Sequence, residues 1–167
     1  MCLATDLALR NSGNETITCY KVLNKTTYLD FETKKYVTVI STPIQGTRID
    51  NDIVSGKKEF KAKGGDGKLI VIEGPERNCP YPHVYEAHGG FIHTYAKLDD
   101  ARYVARKRKM RLGNITNPKV VLYECVIPKN TIYAEGKNKW NDDLKDKMNT
   151  LDCYASRRIK FVKEIEI

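Results

Sequence analysis

Three histidines, His83, His88 and His93, stand five residues apart, with Cys79 four residues ahead of the first. Imidazole nitrogen and thiolate sulfur are zinc ligands, and these four residues have the composition of a tetrahedral site. Their spacing works against it. Two ligands stack on one helix face when four apart, and along a strand a step of five changes sides. A metal site therefore requires the loop to fold back, which Pro80, Pro82 and the Gly89-Gly90 pair permit. Three unrelated histidines in a loop and a strand explain the same pattern without a metal.

His93 belongs to a second arrangement. The run FIHTYA, 91–96, reads as a strand, where side chains two apart share a face. His93 and Tyr95 then set an imidazole beside a phenol, which suits a ligand that is both stacked and hydrogen-bonded, or a half-buried polar face. Next, LDDARYVARKRKMRL carries Arg102, Arg106, Lys107, Lys109 and Arg111. Such cations can follow phosphates. The acidic start at Asp99 and Asp100 and the basic end also complement the helix dipole, which needs no partner. At the other end of the chain, Cys2 becomes N-terminal if Met1 is removed, and such a cysteine can act as a nucleophile with its own amine as base. KGGDGK, 63–68, does not match the phosphate-cradling G-x-x-x-x-G-K-[ST] pattern and is accounted for by a turn.

The elements that must hold these residues are mostly strands. TITCYKVL, 16–23, and KYVTVIST, 35–42, are rich in β-branched and aromatic residues. A polar excursion over about 43–75 is expected to contain one hairpin, turning at Gly65-Asp66-Gly67, with a strand at 68–73. NCPYPHVYEAHGG, 78–90, reads as a loop. Leu98, Ala101, Ala105 and Leu112 fall close to one face at a period of 3.6, predicting an amphipathic helix over 98–112 that ends at Gly113. KVVLYECVIP, 119–128, reads as a buried strand and 140–148 as a short second helix. At the C-terminus Ile159, Phe161, Ile165 and Ile167 alternate with Lys160, Val162, Glu164 and Glu166, apart from an interruption at Lys163. Strands that outnumber helices without regular alternation predict an α+β fold on a mostly antiparallel sheet, in one domain over 1–167.

With 167 residues, 41% of them apolar and 30% charged, the chain has the composition of a globular protein. No apolar run approaches the roughly 20 residues of a membrane span. The absence of a basic leader makes a cytoplasmic location the expectation. The five cysteines are scattered without a C-x-x-C pair, against a disulfide framework. A net charge of +8 favours an anionic partner: a nucleotide, nucleic acid or an acidic protein surface.

ITCYKVL at 17–23, GGFIHTYAKLDDARYVA at 89–105, YECVIPKNTIYAEG at 123–136 and YASRRIKF at 154–161 together resemble small proteins of bacteria and phages that begin Met-Cys-Leu. Their order is also similar to that of ADP-ribosyltransferase-like folds. That resemblance implies an NAD cleft between two small sheets, with a His or Arg on the first strand, an aromatic or Ser-containing second strand and a late Glu. Here Lys21 stands on the first strand, and the only Glu-x-Glu pair, Glu164 and Glu166, lies in the final one. The expectation is a domain that binds an anionic nucleotide-like ligand, or its polymer, near Lys21, His93, Tyr95 and Arg102. If it is a transferase, Glu164 or Glu166 is the acid that stabilises an oxocarbenium-like ribose, with Cys2 a further candidate nucleophile. The rival expectations are a non-enzymatic phage or bacterial interaction protein, an inhibitor or virion component docking through its basic face, and a nucleic-acid-binding protein.

Overall fold

The computed structural model describes residues 2–4, 9–43, 46–63, 69–73, 84–87, 90–113, 115–138 and 151–167. In chain order the elements are β1 (Cys2–Ala4), β2 (Arg10–Asn11), β3 (Ile17–Asp30), β4 (Lys35–Ser41), β5 (Arg48–Ile49), α1 (Asn51–Val54), β6 (Phe60–Lys61) and β7 (Leu69–Glu73). They continue with β8 (Val84–Ala87), β9 (Ile92–Tyr95), α2 (Leu98–Leu112), β10 (Lys119–Ile127), β11 (Ile132–Asn138), β12 (Asp152–Ser156) and β13 (Arg158–Ile165). The fold is α+β. Its strands run β6-β13-β10-β3-β9-β12-β11-β1-β8-β7, with β4 and β5 branching from β3 and β2 from β11, and every described pairing is antiparallel.

β3 is the spine. One edge pairs continuously with β10, from Ile17 opposite Ile127 to Lys25 opposite Lys119. The other edge is shared. β9 meets it at a single pair, Tyr20 opposite Tyr95, and β4 takes it from Asn24 to Asp30. Among the described residues no strand pairs with that edge at Lys21, Val22 and Leu23, which leaves two half-sheets joined there by one bridging pair.

Because side chains alternate along a strand, β3 feeds a core on each face. Cys19 and Leu23 join Val121, Cys125, Ile159 and Phe161 on one face, under Ile40, Ile49, Phe60 and the partly buried Ile53 and Val54 of α1. Val22 joins Tyr95, Val120, Leu122 and Ala155 on the other, against Ala101 and Ala105 of α2. β10 contributes to both, which is why VVLYECVI reads as a near-continuous apolar run. α2 spans 98–112 as its periodicity predicts, with Asp99 and Asp100 in the first turn and Gly113 at φ 56° as its exit.

Several expectations are corrected. The strand at 16–23 does not stop there but runs on to Asp30 and turns directly into β4, forming a long hairpin. Among the described residues of the 43–75 excursion, β6 pairs with β13 and β7 with β8. The turn at 65–67 itself lies outside the described residues, as does the helix expected at 140–148. The loop at 78–90 contains β8, which places β1 between two neighbours.

The C-terminal alternation is also not one set. Glu124 faces Lys163 and Cys125 faces Phe161, so Val162 is an extra residue, a β-bulge that reverses which side the later residues face. Ile159 and Phe161 enter one core, whereas Ile165 and Ile167 pack on the other.

Just before that bulge, the backbone of α1's exit presses on β13. Gly56 has φ 76°, and a Cβ there would lie 2.6 Å from the Phe161 carbonyl oxygen. Gly56→Ala meets both a disfavoured backbone region and a hard contact, and is expected to destabilise the fold by about 1–3 kcal/mol. A urea midpoint unchanged from the parent would contradict this contact.

Candidate functional site

Where β3 lacks a ladder partner, its side chain substitutes for one. Lys21 Nζ donates to the His93 carbonyl oxygen at 2.7 Å, joining the half-sheets just beyond their single bridging pair. Enclosure of the ammonium lowers its pKa from 10.5 to about 8, against an opposing pull from the Cys125 and Cys19 thiols. Burial also pushes Cys19 up to about 11, and Cys125 well above its usual range. Inertness rather than nucleophilicity follows for both thiols.

Two polar atoms beside this junction are sealed from solvent without a hydrogen-bonding nitrogen or oxygen: Thr94 Oγ1 and His93 Nδ1. Thr94 is 2% exposed and its hydroxyl lies against the Cys19 thiol. The imidazole is held to a pKa of about 3 by burial first and then by neighbouring positive charge, Lys21 included. It is neutral at pH 7.

From Lys21 a row of side chains crosses the sheet. Lys21 stands opposite Tyr123 and Tyr123 opposite Glu164, so the three share one face. With neighbouring strands about 4.8 Å apart, the row is about 10 Å long at the backbone. Tyr123 Oη donates to Glu164 Oε2 at 3.2 Å, and Lys25 Nζ lies 3.7 Å from the same oxygen. Burial, then the Glu164 charge, raise the Tyr123 pKa, so the phenol stays a donor. Tyr123 also sets its ring edge-on to Phe161 at 5.3 Å. The row thus runs from an enclosed cation through a packed phenol to a part-exposed carboxylate. The bulge at Val162 creates it, since uninterrupted alternation would turn Glu164 to the α2 face.

The other candidate residues are distributed differently. His93 and Tyr95 share a face, as their spacing requires, but it is the face covered by α2, where Tyr95 is buried and its phenol pKa raised. Lys21 meets His93 through the main chain only. Arg102 lies apart from both, its Nε donating to the Glu166 carbonyl at 3.4 Å. Glu164 and Glu166 line an open cleft of about 910 Å³ at the end of α2, together with Lys109 and Lys119. Cys2 opens β1, and its side chain lies outside the described residues, as do Cys79, His83 and His88. Among the described residues no group of three or more His, Cys, Asp or Glu is placed to hold a metal ion.

Comparison with protein-family models, with curated proteins and with solved structures finds no match for this chain. Among the described residues no helix is long and apolar enough to cross a membrane.

Residue-level reading of the sequence passed over Tyr123, Thr94 and Arg108. Tyr123 left a signal: a phenol and a carboxylate within an apolar strand must find polar partners at one end. Arg108 left none. Its guanidinium reaches Asn24 Oδ1 at 3.3 Å and the Pro43 carbonyl at 3.1 Å, pinning the second half of α2 to β3 and the end of β4.

The buried imidazole makes stability sensitive to acid. Its folded pKa lies below the unfolded value, so this contribution is complete above pH 6.5 and is lost as pH falls from 6.5 toward 3. His93→Gln is expected to flatten that limb, by up to about 1.4 kcal/mol per pH unit, between pH 6.5 and 4. Urea midpoints at pH 4, 5, 6 and 7 check it, and parallel limbs for parent and variant would refute a buried neutral His93.

Proposed function

We propose that this domain binds an anionic, nucleotide-like ligand over the row from Lys21 to Glu164, in the manner of an ADP-ribosyltransferase-like fold. One observation carries the reading. The cation of β3 and the late carboxylate, 143 residues apart in the chain, fall in one cross-strand line on one face, with a phenol donor between them. The two half-sheets meet at one bridging pair beside Lys21, and the resembled pattern sets its ligand between two small sheets.

In this reading Lys21 supplies positive charge for a phosphate, and Tyr123 orients the Glu164 carboxylate. Glu164 places negative charge where a ribose would develop oxocarbenium character. Charge fixed in advance, in surroundings of low polarity, is worth more than the same charge in water. Lys21 replaces the His or Arg of the resembled pattern. A compact ammonium offers a phosphate a point charge where a guanidinium offers a two-pronged fork. His93 and Tyr95 act from beneath, shaping the strand whose carbonyl anchors Lys21.

The measurement is thermal unfolding with ADP-ribose, NAD and simple nucleotides at two salt concentrations. A ligand present at a hundred times its Kd adds about 2.7 kcal/mol to the native state. In a chain of this size that corresponds to a rise of roughly 5–10 °C in Tm. Lys21→Met, which retains the apolar stem without the charge, is expected to abolish the rise. Glu164→Gln is expected to preserve it while eliminating any release of nicotinamide from NAD. The same rise in the Lys21→Met variant would sink the placement, and no rise with any nucleotide would sink the reading.

A further inference from the structure

β3 outruns β10 by five residues, Thr26 to Asp30, so the β3–β4 hairpin projects about 17 Å beyond its last shared pair, Lys25 with Lys119. The projection is rigidly made. Asp30 accepts from the backbone N–H groups of Glu32 and Thr33 to form the turn, and Thr27 Oγ1 meets Thr38 Oγ1 across the strands. It is also tied at its base. Asn117 continues the β10 ladder with its side chain, accepting from Thr27 N at 3.0 Å and donating to Thr27 O, while Arg108 fixes α2 to Asn24 and Pro43. The basic end of α2, the loop after it and the hairpin therefore form one connected surface.

That surface carries exposed rings and cations together, with the carboxylates of Asp30 and Glu32 beside Lys34 and Lys35 at the hairpin tip and further cations on α2. Phe31 and Tyr36 are 78% and 79% exposed at the tip of the hairpin. Rings and cations recur in pairs: Lys34 Nζ lies 5.9 Å from the Phe31 ring centroid, Arg48 donates to Tyr28 Oη at 2.9 Å, and Lys107 Nζ lies 5.8 Å from the Tyr103 ring. Lys34, Lys35, Arg106 and Lys109 are exposed with no carboxylate partner among the described residues.

We propose that the hairpin and the basic end of α2 form a docking face for a single-stranded nucleic acid. Unpaired bases stack on exposed rings, and the phosphates between them require cations at short intervals. Both are present, in alternation. A duplex has its bases already stacked and offers these rings nothing, and an acidic protein surface, which would also cover the rings, is separated by competition with polyglutamate.

The test is fluorescence anisotropy of labelled 20-nucleotide single strands, DNA and RNA of one sequence, and the matching duplex, with the full chain. For four phosphate contacts, single-strand affinity is expected to fall roughly 50-fold between 50 and 200 mM salt. The double variant Phe31→Ala/Tyr36→Ala is expected to weaken it at least about tenfold. Lys34→Glu/Lys35→Glu is expected to weaken it and to flatten the salt dependence. All of these side chains are exposed, so an unchanged melting temperature verifies the fold of each variant. Lys21→Met is expected to leave oligonucleotide binding intact, separating this face from the proposed nucleotide site. No binding at 50 mM salt, equal affinity for the duplex, an unchanged affinity in the aromatic double variant, or equal competition by polyglutamate would each overturn the proposal.

Discussion

A β-strand has two edges, and β3 has three neighbours to satisfy with them. β10 takes one edge whole, leaving β9 and β4 to divide the other, and they cannot meet without colliding. The gap between them is filled by a side chain. Lys21 donates to the carbonyl of His93, which has no ladder partner on β3. Burying an ammonium is costly, and its pKa is lowered accordingly. An unpaired carbonyl in the same place would cost free energy too. The junction therefore holds its half-sheets together with a group that would rather be in water, and the geometry around it follows from that compromise.

The second determinant is a single inserted residue. Val162 changes the parity of β13 midway, so one strand supplies Ile159 and Phe161 to one core and Ile165 to the other. The same shift brings Glu164 beside Tyr123. A bulge that sends apolar residues to two cores thus also sets a carboxylate in line with the buried cation, and packing and electrostatics cannot be altered separately there. Gly56 shows how tightly this segment is held, since the backbone of Phe161 approaches it too closely for any side chain.

The two proposed surfaces differ in physical character. The Lys21 row has an enclosed cation, titrated by burial, and a phenol fixed by ring packing. It suits one small ligand in one orientation. The hairpin face is solvated, with Lys34 and Lys35 exposed, and its rings are spread along a projecting element. It suits a flexible polymer whose successive units find equivalent contacts.

Much of the frame was legible in residue order. The α2 pattern of Leu98, Ala101, Ala105 and Leu112, with acids in its first turn and Gly113 after, determined that helix to the residue, because helical periodicity and end effects are local. The β-branched and aromatic runs marked β3, β4, β9 and β10 for the same reason. The pairing of His93 with Tyr95 followed from strand geometry alone. What the sequence left open was every choice between competing partners: that β3 continues into a hairpin, that β6 and β7 pair apart, and that Val162 bulges. It also left open which face of the sheet α2 covers, and hence that Tyr95 is buried while Lys21 and Glu164 share the opposite side. Those outcomes depend on which ladders and cores compete for each strand, near and far along the chain, and no local preference carries that information.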